Sequence, residues 1–189
     1  MTLSAPVSRE PLHVRSYDFR GYRRADGLWD IEGHLVDTKT YAFANSWRGE
    51  IAPGTPVHDM WIRLTLDDDF TVRDVEVDTA AAPFDVCGGI APAFAAVKGL
   101  TVGPGWRKRL KERLGGVKGC THLVEMLGAM ATVAFQTIYP ARARDGRGME
   151  TDDGRVPPML DACHALARDG EIVRRHWPKY YRPRDPGGA

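Results

Sequence analysis

The stretch RRADGLWDIEGHLVDTK, residues 23–39, decides the fold, because its centre alternates apolar and polar residues as a half-buried β-strand does. The two faces of this predicted strand carry Trp29, Ile31 and Leu35 on one side and Asp30, Glu32 and His34 on the other. The polar side is a row of two carboxylates and an imidazole at every second position. Such a row is either the solvent-exposed face of a sheet or the wall of an active site, and the strand alone leaves both interpretations open.

A second alternating stretch covers residues 57–66 and is followed by an acidic turn at 67–69. A returning strand over 70–78 completes the pattern of a β-hairpin. We therefore predict an antiparallel sheet of three or more strands within residues 17–80. Helices from the second half of the chain are expected to cover it, which makes the fold class α+β.

Helical spacing begins after residue 80. It predicts a small-residue helix over 91–98, a basic amphipathic helix over 106–114 and a core helix that opens near Gly119 with Thr121 as its N-cap. Residues 159–177 return to helical spacing, with Cys163 expected in the core and a break into two pieces at Gly170 left open. The polar, proline-rich residues 141–158 between these helices are predicted to be a loop.

Length and composition indicate one globular domain. The chain has 189 residues, and we expect a single domain over 15–181 between a flexible arm at 1–14 and a disordered tail at 182–189. A net charge of +1 gives no electrostatic reason to expect nucleic acid as a partner. The sequence shows no long apolar run and no signal peptide, so we expect a cytoplasmic protein that does not enter a membrane. A homo-oligomer is left open.

The cysteines Cys87, Cys120 and Cys163 are odd in number and widely spaced, which argues against disulfides and favours free thiols or metal ligands. Cys120 lies at the start of the predicted core helix, where the helix dipole favours a thiolate. A thiolate there is a nucleophile or a metal ligand. A small cysteine buried at a tight turn is the structural alternative.

His58 falls on the apolar face of its strand, together with Met60 and Ile62. A single histidine in such a row is more often a core residue with satisfied hydrogen bonds than a ligand. Its neighbour Asp59 changes this balance, because a His–Asp pair at the entrance of a strand can titrate or coordinate a metal. We therefore expect Asp59 to orient His58.

The motifs of the common cofactor classes are missing from the sequence: there is no P-loop, dinucleotide fingerprint, H-E-x-x-H or nucleophile elbow, and no nucleotide cofactor is expected. Two chemistries remain. One is a zinc or iron site built from His58, Cys120 and His122, with Cys87 as a further candidate. The other is metal-free acid–base chemistry with the catalytic residues Asp30, Glu32, His34 and Asp59. Either site would take a small-molecule substrate, with an anionic or aromatic group, held by Arg24, Trp29 and Tyr41.

Several segments resemble a bacterial family known only as a domain of unknown function. The resemblance rests on RRADGLWDIEGHLVDTK, PVHDMWIRLTLDDD, GWRKRLKERLGGVKGCTHL, AFQT and CHALARDG, and spans most of the chain from about residue 17 to 181. These motifs are specific to that family. The resemblance implies no settled activity.

The order of elements is also similar, more distantly, to IscU/NifU-type iron–sulfur scaffolds, in which one cysteine opens a hairpin strand, a second precedes a helix and a third caps a later helix. This resemblance implies a metal pocket with His58 at the first cysteine position, Cys87 at the second and Cys120 at the third. The chain departs from the scaffolds in having histidine at the first position.

The sequence thus leads to three hypotheses for function. The first is a small enzyme, a lyase or hydrolase, that cleaves a bond in a small organic substrate by acid–base or metal-assisted chemistry. The second is a non-enzymatic metal or iron–sulfur scaffold or carrier. The third is an interaction module.

Overall fold

The structure, a computed structural model, describes residues 3–147, 156–157 and 159–184. Its strands are β1 (His13–Arg23), β2 (Trp29–Lys39), β3 (Phe43–Asn45), β4 (Gly49–Ile51), β5 (Pro56–Leu66) and β6 (Val72–Ala81). Its α-helices are α1 (Trp106–Leu114), α2 (Thr121–Arg144) and α3 (Glu171–His176), and a 3-10 helical segment spans Asp85–Val97. The predicted α+β class is confirmed.

The main sheet has four antiparallel strands in the order β1-β2-β5-β6, and β3 and β4 form a separate two-stranded ribbon. The predicted hairpin is present as β5 and β6. Its acidic turn is closed by Asp67, whose Oδ1 accepts hydrogen bonds from the backbone N–H groups of Asp69 and Thr71, each at 2.9 Å. The sheet begins at His13, so the last residues of the expected arm belong to β1.

One face of the sheet is covered and the other is not. The apolar residues of β2 and β5 are buried under α2, which packs on β1, β2 and β5. Strand β1 and α2 approach closely at Gly21, where an added Cβ would lie 1.8 Å from Oγ1 of Thr137. The core on the covered face includes Ile31, Leu35, Met60, Ile62, Leu123, Met126 and Met130.

The basic helix α1 packs on α2 and on the 3-10 segment. The indole N–H of Trp106 donates to the carbonyl oxygen of Leu127 at 2.8 Å, which joins α1 to α2 inside the core. Arg109 and Arg113 donate to backbone carbonyl oxygens of residues 96–104. These hydrogen bonds therefore attach α1 to the segment that precedes it in the chain.

The predicted helix over 159–177 is reduced to α3, with Gly170 as its N-cap, and the core position expected for Cys163 is wrong because Cys163 is exposed. Cys163 interrupts the helix with an extended backbone, φ −151° and ψ 167°, and a first interruption lies at Asp161. Its backbone has φ of 60°, and its carboxylate accepts hydrogen bonds from the N–H and side chain of Arg168. A left-handed residue ends helical geometry.

Parts of two predicted segments lie outside the described residues. Of the predicted loop at 141–158, the first four residues complete α2, and 148–155 and 158 are not described. Of the predicted tail at 182–189, residues 185–189 are not described. In the described part of the chain, no helix combines the length and the apolar character needed to cross a membrane.

Candidate metal centre

The strand register places a cation, an anion and an imidazole in one line across the covered face of the sheet. Arg15 on β1 lies opposite Asp37 on β2, and Asp37 lies opposite His58 on β5. A β-bulge follows directly, between Asp37 and Thr38. Because side chains directly opposite one another on antiparallel strands point to the same face, the three groups meet beneath the start of α2.

Asp37 is the centre of this row and is only 1% exposed. Arg15 donates to both of its oxygens, from Nε to Oδ1 at 2.7 Å and from Nη2 to Oδ2 at 2.8 Å. His13 Nε2 lies 3.2 Å from Oδ1. Burial raises the pKa of the Asp37 carboxyl, but the contacts with Arg15, His58 and His13 outweigh burial and lower it. Asp37 is therefore an ionised carboxylate at neutral pH.

His58 lies with its Nδ1 2.9 Å from Oδ2 of Asp37. Burial, followed by the neighbouring His122, lowers the pKa of His58, although Asp37 acts in the opposite direction. His58 is consequently neutral at neutral pH. A neutral imidazole keeps a lone pair that can bind a metal or accept a proton.

His122 completes the group from the first turn of α2. Its Nε2 lies 3.8 Å from Oδ2 of Asp37, and its ring centroid lies 4.0 Å from that of His58. One ligand atom from each of Asp37, His58 and His122 lies within 4.8 Å of the other two. Two imidazoles and a carboxylate suit zinc or iron(II), and three protein ligands leave a coordination position for water or substrate.

Cys120 borders the group but is not part of it. Its Sγ lies 3.8 Å from Nδ1 of His122. Burial raises the pKa of the Cys120 thiol, but His122 and the backbone N–H groups of Leu123 and His122 outweigh burial and lower it. The direction of this shift is the one expected for a thiol at the start of a helix. Cys87 likewise lies outside the converging ligand set found among the described residues.

Local geometry fixes where α2 begins. The N-cap is Cys120, one residue before the predicted Thr121. Gly119 is required just before it, because an added Cβ would lie 2.5 Å from the carbonyl oxygen of Leu114. The helix therefore starts at a defined point, which sets the position of His122 over the sheet.

The polar row on β2 lies on the uncovered face, opposite the metal ligand candidates. Asp30 accepts a hydrogen bond from the Thr65 hydroxyl at 2.7 Å, and Glu32 accepts one from Arg63 at 2.8 Å. No cavity is therefore shared between the row and His58 or Cys120, because the sheet itself separates them.

The histidine of that row forms a second His–Asp pair. His34 Nε2 lies 2.8 Å from Oδ1 of Asp59, and the His34 ring stacks on Trp61 with centroids 3.7 Å apart. The prediction that Asp59 orients His58 is therefore wrong, because successive residues of a strand point to opposite faces. Asp37 contacts His58 instead.

The three expected substrate-binding residues are separated. Trp29 is 2% exposed, and its indole N–H donates to Asp68 at 2.9 Å, so it belongs to the core and cannot contact a substrate. Arg24 is paired with Asp26 and Asp30. Tyr41 is exposed beside Lys39. A hollow of about 260 Å³ on the uncovered face is lined instead by Glu32, Trp61, Ile62, Arg63, Glu76, Val77 and Asp78.

Sequence reasoning did not select Asp37, Arg15 or His13. A signal for Asp37 exists: it continues the inward-facing positions Ile31, Gly33 and Leu35 and is therefore a carboxylate on an apolar face. Arg15 and His13 carry no such signal, because β1 is exposed at nearly every position.

A family model described as "Protein of unknown function (DUF2889)" matches residues 13–136. The match spans the four strands of the main sheet and the first turns of α2, and so includes Asp37, His58 and His122. Comparison with the curated proteins and with the solved structures gives no significant match. The similarity to iron–sulfur scaffolds is therefore not confirmed.

Proposed function

We propose that this chain, which belongs to the DUF2889 family, is a small enzyme that uses a divalent metal ion to cleave a bond in a small organic substrate, as a hydrolase or lyase. The observation that carries the proposal is the convergence of Asp37, His58 and His122 at one end of the sheet. Zinc and iron(II) are the ions that fit two imidazoles and one carboxylate.

The proposed chemistry follows from the open coordination position. A metal ion held by Asp37, His58 and His122 would supply hydroxide from a bound water for hydrolysis, or a base for proton abstraction, and would polarise a carbonyl oxygen of the substrate. The side chains of His122 and His58 remain partly accessible, with exposures of 22% and 15%.

Arg15 supports this proposal as a residue that fixes the carboxylate. Its two-pronged contact holds the plane of Asp37. Arg15 also reaches Glu125 on α2 at 3.3 Å, and Tyr17 OH lies 3.2 Å from the same oxygen. Strand β1 is thereby tied to the helix that carries His122. Such outer contacts tune metal ligands.

A metal-free acid–base enzyme is the second candidate, and the 2.9 Å contact between Asp37 and His58 favours it. A neutral imidazole that is oriented by a buried carboxylate can act as a general base. The pair His34 and Asp59, beside the exposed ring of Trp61, is a further acid–base candidate on the uncovered face. A scaffold for iron–sulfur clusters has less support, because such clusters require thiolates and the converging group contains none.

The test is a metal-dependent activity screen on small chromogenic esters and on aromatic substrates of lyases. Activity should disappear on chelation, return with zinc or iron(II), and be lost in His58→Ala and His122→Ala. His164→Ala is the matched control, because His164 is exposed and lies outside the cluster. Activity that survives chelation but is lost in His58→Ala would replace the metal mechanism with the acid–base one.

A further inference from the structure

The two ring nitrogens of His122 face different partners. Nε2 is the nitrogen near Oδ2 of Asp37, at 3.8 Å, and Nδ1 lies 3.8 Å from Sγ of Cys120. A neutral imidazole carries a proton on one nitrogen and a lone pair on the other. Which nitrogen holds the proton therefore decides whether the lone pair of His122 faces Asp37 or Cys120.

We infer that Cys120 is a positioning residue that holds His122 in the tautomer with its proton on Nδ1, so that the Nε2 lone pair faces Asp37 and His58. This inference rests on the proposed metal site. A metal ligand must present a lone pair, and Nε2 is the nitrogen that lies near Asp37. The Nδ1–H then needs an acceptor, and the Cys120 sulfur is in place to accept it.

Metal-binding histidines commonly donate their second N–H to a nearby acceptor, which fixes the orientation of the ring and raises its basicity as a ligand. A carboxylate or a backbone carbonyl is the usual acceptor. Here a cysteine sulfur takes that role.

The sulfur is well placed because the start of α2 fixes it. Cys120 is the N-cap residue, and its carbonyl oxygen accepts the first helical hydrogen bond from Val124 at 2.9 Å. The chain passes close to the backbone of residue 114 at Gly119, where an added Cβ would lie 2.5 Å from the carbonyl oxygen of Leu114. The sulfur and the His122 ring are therefore held on one rigid turn.

The same geometry argues against Cys120 as a ligand. The two nitrogens of an imidazole point to different sides of the ring, so a sulfur that contacts Nδ1 lies across the ring from an ion bound at Nε2. Cys120 accordingly lies outside the group of converging ligand atoms. Cys120, expected from the sequence to be a ligand, thus supports the ligand His122 instead.

Cobalt(II) binding followed by absorption spectroscopy tests the assignment. The wild-type protein should bind cobalt(II) without the intense near-ultraviolet band of a thiolate–cobalt bond. Cys120→Ala should weaken binding about tenfold or more, whereas Cys120→Ser, which keeps an acceptor, should restore most of the affinity. Cys87→Ala and Cys163→Ala are controls that should bind as the wild type does. A thiolate band that vanishes in Cys120→Ala, or unchanged affinity in Cys120→Ala, would overturn the inference.

Nitrogen-15 NMR of the His122 ring in the metal-free protein separates this inference from the proposed function. At a pH where His122 is neutral, the proton should reside on Nδ1 in the wild type and in Cys120→Ser, and should be shared between both nitrogens in Cys120→Ala. If cobalt(II) does not bind but this pattern is seen, the metal function fails and the positioning role stands. The same tautomer in all three proteins would refute the positioning role.

Discussion

Nδ1 of His58 lies 2.9 Å from the buried carboxylate of Asp37, and the two residues are direct cross-strand partners on the covered face of the sheet. Their contact is a consequence of register, because a shift of one residue would turn Asp37 to the other face. The same register brings Arg15 to the far side of Asp37. The site is therefore built by pairing of three strands, and α2 adds His122 to it.

Asp37→Asn should destabilise the fold strongly. The change removes the buried negative charge that Arg15 contacts, and because Arg15 is 30% exposed and also contacts Glu125, we expect a loss of about 2 kcal/mol. Asp59→Asn on the uncovered face is the matched control, with an expected loss of about 1 kcal/mol or less. Urea unfolding of the two variants measures the difference. Equal losses would contradict the central position given to Asp37.

His34→Ala and Asp59→Asn should leave metal affinity unchanged. Both residues lie on the uncovered face, with the sheet between them and the Asp37 group. Titration of the metal-free variants with zinc provides the comparison. A loss of affinity similar to that of His58→Ala would show that the two faces belong to one site.

Gly119→Ala should lower both stability and metal affinity. The clash of its Cβ is with a backbone oxygen, which no side-chain rotation can relieve, so the start of α2 must move and His122 with it. The expected cost is about 1–3 kcal/mol. Gly88→Ala is a suitable control, because an added Cβ there meets nothing within 4 Å. If Gly119→Ala binds zinc normally, the precise start of α2 does not position the ligand.

Tyr139 should make the fold sensitive to alkaline pH. Burial between Phe70 and Phe135 raises its pKa to about 12. Because the folded-state pKa lies above the unfolded value of 10.0, the folded protein holds the proton more tightly, and this stability is present below pH 10 and is lost as the pH rises toward 12.

The measurement is the free energy of unfolding of the wild type and of Tyr139→Phe between pH 9 and about 12. The wild type should lose more stability over this range than the variant does. Parallel curves would show that Tyr139 ionises as readily in the folded protein as in the unfolded chain.

The sheet could be predicted because its signal is local. Alternation in β2 and in the β5–β6 hairpin is visible in short windows, and α1 matched its predicted range because it is strongly amphipathic. Strand β1 is an exposed edge strand without apolar alternation, so its start at His13 was not visible. The helix expected over 159–177 is interrupted by a left-handed residue, Asp161, and an extended residue, Cys163, which helical spacing cannot reveal, and it resumes only after Gly170.

The candidate site could be predicted only in part. His58 and His122 were selected as metal ligand candidates, and the structure brings them together. Cys120 was expected to be a ligand because it precedes a helix. Its sulfur instead contacts Nδ1 of His122, and only the side-chain geometry of the folded protein shows which nitrogen it contacts. Asp37 was missed because a carboxylate near the end of a strand looks like a surface residue until the pairing of three strands shows that it is buried.

The most direct test of the central claim is isothermal titration calorimetry of the metal-free protein with zinc. About one zinc ion per chain should bind to the wild type and to His164→Ala, and the binding heat should be absent in a His58→Ala, His122→Ala double variant that circular dichroism shows to be folded. Zinc binding of equal stoichiometry and affinity in the double variant, or none in the wild type, would contradict a metal centre at Asp37, His58 and His122.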